Sequence, residues 1–325
     1  GQIPEGYQSR LTKEQWINIL DFVKAVGGKL IVSVANCEGL HSASEPWNPS
    51  QAELLFELSK EHGVPINAVE FTNEPNMMEG TGFPKGYTPA EFRRDQDLFH
   101  KWVRKNYPDV IIVGPSTVDA AALKGDDKDS SGGAGIGDIL TSCSTGELLD
   151  GCTEKLDVFS YHYYNGVSER MAAMCPSMFT PAEGATSEAY LGMAGMCARA
   201  FVPYRDKYCP GGEMWVTESG DAGAGGHTWA STYLEVIRQL NEFGDFASVT
   251  KGIIFHNTLA SSDYGYLQHG TFEPRPSYFA ALLWNQLMGD VVYESGEEIR
   301  EGAHVYAHSR KDGKEGVAYL VINNS

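Results

Sequence analysis

The chain has 325 residues, of which 42% are hydrophobic and 11% aromatic, so it can bury a sizeable core and is not a disordered polymer. A formal net charge of −18 argues against a nucleic-acid or anionic-membrane binder, because polyanions are held by clustered Lys and Arg. No stretch approaches the roughly 18–20 apolar residues of a membrane span, and the opening GQIPEGYQSR carries no secretory leader pattern.

Taken in chain order, the patterning alternates. LTKEQWINILDFVKAVGG has Thr12 and Gln15 spaced as a capping box, an apolar helical stripe and a Gly-Gly stop. KLIVSVAN (29–36) is a short β-branched run. NPSQAELLFELSKEHG reads as a helix capped at Asn48 or Ser50 and stopped by Gly63. INAVEFTNE (66–74) is a strand, TPAEFRRDQDLFHKWVRKNYP a helix, and VIIVGPS (110–116) and LDVFSYHYY (156–164) are strands. EMWVTESG (213–220) is a strand, TWASTYLEVIRQLNEFG a helix, KGIIFHNT (251–258) a strand and PSYFAALLWNQLMG a helix. KGDDKDSSGGAGIG reads as a solvated loop without the spacing of an EF-hand.

Near-continuous apolar strands joined by helices mean parallel strands covered on the outside. Polar residues collect where these strands end: Asn36, Asn73 with Glu74, Ser116, His162 to Tyr164, Glu218 with Ser219, and His256 with Asn257. That is the rim where a (β/α)8 barrel keeps its active site. The expected fold is therefore an α/β TIM barrel occupying residues 1–289. After Gly289, DVVYES, HVYAHSRK and GVAYLVINNS alternate without helices, so residues 290–325 read as the start of a β-sandwich. Six barrel strands are counted, so two further strands, from a preceding segment or an N-terminal partner chain, are expected to complete the barrel.

Two strand ends carry a glutamate in the same frame, VEFTNEPN with Glu74 and MWVTESG with Glu218. Glycoside hydrolysis needs two carboxyl groups held at a fixed separation, which the rim of a rigid barrel supplies. Trp47, on the loop after the first strand, is the best candidate to stack on a sugar ring, whereas Trp215 lies within a strand and belongs to the core. His256 and Asn257 either face the cleft or are satisfied structural groups. The six cysteines form no CxxC, and no metal ligand set or cofactor motif stands out. Cys143 and Cys152 are spaced either for a short disulfide in an oxidising, extracellular setting or as buried thiols.

With INAVEFTNEPN, VIIVGPS, VFSYHYYNG, MWVTESGDAGAGG and SDYGYL in this order, the chain from about residue 30 to 290 resembles glycoside hydrolase family 79, the heparanase and β-glucuronidase group of retaining barrel enzymes. The resemblance implies Glu74 as general acid/base, Asn73 on the sugar 2-hydroxyl and Glu218 as nucleophile. It places His162 and Tyr163 in the site lining, with Tyr164 following. It gives the amides of Gly225 and Gly226 and the hydroxyl of Tyr264 to the uronate carboxylate, although Ala224 stands where the family has a glycine. No cofactor is implied. The expected partner is a carbohydrate, a glucuronide or uronate-containing glycan, and the acidic chain disfavours a long sulfated one. A retaining mechanism implies carboxyl groups roughly 5–5.5 Å apart. A relative acting on neutral sugars, of β-xylosidase or arabinofuranosidase type, and a carbohydrate-binding pseudoenzyme are the alternatives.

Overall fold

Thr12 accepts the Gln15 N–H while the Gln15 side chain accepts the Thr12 N–H, and this capping box starts helix α1 (Lys13–Ala25). The computed structural model that shows it describes residues 9–78, 81–118 and 141–325. The loop expected at KGDDKDSSGGAGIG lies outside the described residues.

The remaining elements follow the sequence closely. They are β1 (Leu30–Ser33), α2 (Ser50–Glu61), β2 (Ile66–Glu70), α3 (Pro89–Asn106), β3 (Ile111–Val118), α4 (Thr145–Leu149) and β4 (Val158–Tyr164). Then come α5 (Glu188–Leu191), α6 (Met193–Tyr208), β5 (Glu213–Gly220), α7 (Tyr233–Val249), β6 (Ile254–His256) and α8 (Pro276–Leu287). Strands β1 to β6 form one parallel sheet in chain order, the winding of a (β/α) barrel. Strands β7 (Met288–Tyr293), β8 (His304–Arg310) and β9 (Val317–Ile322) form an antiparallel sheet. Helices α4, α5 and α6, the last carrying Pro203, were not expected.

The chain divides into two compact units. The first holds the described residues up to 118 together with 141–161 and 204–213. Its core is aromatic: Phe71, Phe92, Phe99 and Trp47 are buried against one another, and the Trp16 indole donates to Ser59 across α1 and α2 at 3.0 Å. Glu70 ends β2 inside this unit, accepting the hydroxyls of Ser33 on β1 and Ser116 on β3. None of the six cysteines forms a disulfide. The disulfide considered between Cys143 and Cys152 is not formed: the Cys152 thiol donates to the Leu148 carbonyl at 3.5 Å, and burial pushes the Cys143 and Cys152 thiols up to about 11 and about 12.

His100 on α3 is fully buried, and neither ring nitrogen has a hydrogen-bond partner. Burial pushes its pKa down to about 4. The unfolded chain therefore binds a proton first, near pH 6.5, and this site loses stability as pH falls from about 6.5 to about 4. His100→Leu is expected to raise stability by about 1–3 kcal/mol and to flatten that acid limb. Urea midpoints at pH 7 and pH 4.5 test this; an unchanged pH dependence in the variant would refute it.

The second unit holds residues 162–203 and 214–325. Its largest fully buried side chain is Arg238 on α7, clamped between Glu235 and Glu242 of the same helix at 2.6 and 2.8 Å. Tyr306 of β8 donates to Asp245 at 2.7 Å and to Asn241 at 2.8 Å, which docks the antiparallel sheet onto α7.

Candidate active site

In the first unit the apolar run of β2 ends at Glu70, and the next residues leave regular structure. Thr72 and Glu74 both have left-handed backbones, with φ of 66° and 44°. A β-branched residue there is a true outlier, and such positions persist only when their surroundings hold them. Asn76 supplies the hold: its buried side chain donates to the Val118 carbonyl at 3.1 Å and accepts the Val118 N–H at 3.0 Å. The strand end is thus bolted to β3 while Asn73 stays exposed and Glu74 half-buried.

Trp47 does not offer a sugar platform. Its ring is 5% exposed, edge-on to Phe71 at 5.8 Å and Phe99 at 5.5 Å, and its indole N–H donates to the Ala35 carbonyl at 3.0 Å. The loop after β1 turns the side chain inward because the aromatic faces of β2 and α3 bury more apolar area than solvent leaves exposed.

In the second unit the C-terminal ends of β4, β5 and β6 converge on Glu218. Its side chain is 29% exposed. Glu218 Oε1 accepts the Tyr164 hydroxyl and the Asn257 side-chain N–H, the latter at 3.1 Å. The Asn257 amide also donates to the hydroxyls of Tyr164 at 2.7 Å and Tyr264 at 3.2 Å. His162 Nδ1 lies 3.7 Å from Glu218 Oε2, a neighbouring position beyond hydrogen-bond length. Glu218 is held by fixed donors on one oxygen and remains open on its solvent side.

Strand alternation corrects the assignment of Tyr163. Side chains two apart share a face, so His162 and Tyr164 look toward Glu218 while Tyr163 looks outward. Tyr163 is buried beside Cys197 of α6 and Glu242 and Arg238 of α7, and burial drives its pKa well above the usual phenol value. Tyr164 takes the place expected of Tyr163. Its pKa also rises, through burial and the adjacent Glu218, so the phenol keeps its proton as a donor.

The loop after β5 carries three successive left-handed residues, Ala224, Gly225 and Gly226, with φ of 63°, 94° and 80°. The Gly225 backbone neighbours the hydroxyl of Tyr264, whose ring stacks on Tyr164 at 6.3 Å. These groups stand together. The Gly226 amide does not join them: it donates to the Ala222 carbonyl at 3.1 Å, inside the turn. Gly226 is needed for space, since a Cβ there would lie 2.9 Å from the Tyr264 backbone nitrogen.

Among the two residues left open at the end of β6, Asn257 is the site residue. His256 is tied to the Tyr264 carbonyl at 2.6 Å and stacked on Tyr266 at 4.0 Å, and burial lowers its pKa to about 3. Tyr164 and Asn257, the two contacts of Glu218, were placed at the rim by the sequence without a role toward Glu218. Counting by twos from His162 assigns the first; the second was left open beside His256 at the end of the last strand.

Comparison with known proteins follows the same lines. No family model matches the chain. Heparanase-like protein 1 of Arabidopsis thaliana is 25% identical over 321 residues, covering 97% of this chain and 54% of that protein. Baicalin-β-D-glucuronidase of Scutellaria baicalensis is 27% identical over 287 residues, covering 86% of this chain and 48% of that protein. The chain is thus similar to heparanase-like proteins over most of its length. It spans about half the length of the curated relatives it matches. Among solved structures, a 4-O-α-L-rhamnosyl-β-D-glucuronidase from Fusarium oxysporum superposes with a TM-score of 0.57 at 13% identity, over 94% of this chain and 57% of that one, which supports the barrel fold.

Proposed function

We propose that this protein is a retaining glycoside hydrolase of β-glucuronidase type. The observation that carries the reading is the second unit's constellation: a carboxylate with two fixed donors on one oxygen, beside a paired backbone N–H and phenol suited to an acidic substituent. The relationship to proteins named for glucuronides supports it.

In the proposed reaction an oxygen of Glu218 attacks the anomeric carbon and forms a glycosyl ester. The glycosidic C–O bond breaks, and Glu74 gives its proton to the departing oxygen. Water then attacks the ester, Glu74 takes a proton from it, and Glu218 is released with the β configuration retained. Asn73 binds the 2-hydroxyl. Tyr164 and Asn257 hold the nucleophile in line, and Gly225 N–H and the Tyr264 hydroxyl receive the uronate carboxylate. Neutral donors suit this task, since they select a carboxylate without adding a mobile cation. The strongly acidic chain favours a small or lightly charged glucuronide over a heavily sulfated glycan.

Hydrolysis of 4-nitrophenyl β-D-glucuronide, compared with the β-xyloside and β-glucoside, tests the reading. Selective cleavage of the glucuronide, with the β-anomer released first by NMR, is the expected result. Preferential cleavage of a neutral glycoside would remove the uronate assignment, and an α-anomer would remove the retaining mechanism.

A further inference from the structure

The turn that presents Gly225 is unfavourable on its own. Three left-handed residues in a row are rare, and Ala224 pays a steric cost that glycine avoids. Something outside the turn must define it, and the segment after β4 does so. The Val167 backbone bridges Gly223, the Ser168 N–H donates to the Gly223 carbonyl at 3.0 Å, and the Ser168 hydroxyl donates to the Ala224 carbonyl at 2.9 Å.

Arg170 closes the arrangement. Its Nη1 donates to the carbonyls of Gly226 at 2.9 Å and Ala224 at 3.4 Å, spanning the turn from both sides of Gly225. Its Nη2 donates to Asp263 at 2.5 Å. The Asp263 backbone N–H in turn donates to the Gly225 carbonyl at 2.9 Å, and Asp263 precedes Tyr264. One guanidinium therefore fixes both members of the acid-recognising pair, the Gly225 N–H through the turn and the Tyr264 hydroxyl through its neighbour. The fork geometry matters: three acceptors in different directions suit a planar guanidinium and not an ammonium.

We propose that Arg170 is a positioning residue for substrate specificity, setting the distance between the Gly225 N–H and the Tyr264 hydroxyl and thereby the preference for a sugar bearing a C5 carboxylate. The inference rests on the uronate reading above. The Arg170 hydrogen bonds go to the turn and to Asp263, so it governs recognition of the acid and leaves the chemical step to others. With its charge matched by Asp263, it acts through geometry more than through attraction.

The experiment compares wild type with Arg170→Met, Arg170→Lys and Asp263→Asn, measuring kcat and KM separately on 4-nitrophenyl β-D-glucuronide and on its 6-methyl ester, with thermal melting as the control for folding. In Arg170→Met, KM for the glucuronide is expected to rise about 10- to 100-fold, the loss of well-placed hydrogen bonds to a charged group, with kcat within about threefold. Neither constant for the methyl ester should move comparably. Asp263→Asn should show the same selective loss in smaller measure, and serves as the readout if Arg170→Met does not fold. Lysine should restore little. A wild type that cleaves acid and ester alike would overturn the uronate reading and this proposal with it. A wild type that prefers the acid, combined with variants that keep the glucuronide KM or lose both substrates equally, would overturn the role of Arg170 alone.

Discussion

Glu218→Ala is expected to lower kcat for an aryl β-glucuronide by on the order of 10⁴- to 10⁶-fold, the scale on which loss of a covalent nucleophile is felt. The ends of β4 and β6 both address Glu218: Tyr164 and Asn257 place their donors on the same oxygen. That leaves the second oxygen, near His162, as the one that faces outward to react. Fixed donors around one oxygen reduce the motion the side chain must give up as the new bond forms, which is the physical content of preorganisation. The loss should be in kcat with little change in KM, because the uronate pair at Gly225 and Tyr264 remains. Added azide should restore turnover in the alanine variant by entering the vacated space, attacking the anomeric carbon as the aryl oxygen departs with a proton from Glu74, and yielding an α-glycosyl azide. A β-glycosyl azide, or activity within tenfold of wild type, would remove Glu218 from the role of nucleophile.

The elements were legible where local chemistry decides them. Thr12 with Gln15 marks the start of α1, and EMWVTESG bounds β5 residue for residue. Helix α6 was not, because Gly192, Gly195 and Pro203 break its pattern and its stability comes from packing Cys197, Ala198 and Phe201 inward. At the site, the position of Glu218 at a strand end was legible, and so was the closeness of Gly225 to Tyr264. The errors share one cause: motif adjacency was read as spatial adjacency. Tyr163 adjoins His162 in sequence, yet the pleat sends it to the helix layer. Gly226 adjoins Gly225, yet its N–H turns back into the loop. Trp47 follows a rim strand, yet an indole with three aromatic neighbours gains more from the core than from the rim.

The largest stability effect is expected behind the site, at Arg238. Burial works against the charge of this guanidinium, but Glu235 and Glu242 more than offset it and hold its pKa well above the ordinary value. Glu242 uses its other oxygen to accept the Ser219 hydroxyl at 2.5 Å, and Ser219 is the residue after Glu218. The cluster thus anchors the strand end that carries Glu218. Arg238→Met leaves two carboxylates buried without their partner and is expected to cost about 3–5 kcal/mol, read as a lowered denaturant midpoint. The triple variant Arg238→Met, Glu235→Leu, Glu242→Leu removes all three charges and should recover most of that loss, since a well-packed apolar replacement of a buried ion cluster is close to neutral. Activity should not recover with it, because Ser219 has lost its acceptor and Glu218 its backing. A triple variant that regained both stability and kcat would show that the cluster serves the fold alone; one that regained stability and stayed slow would tie this buried arginine to the alignment of Glu218.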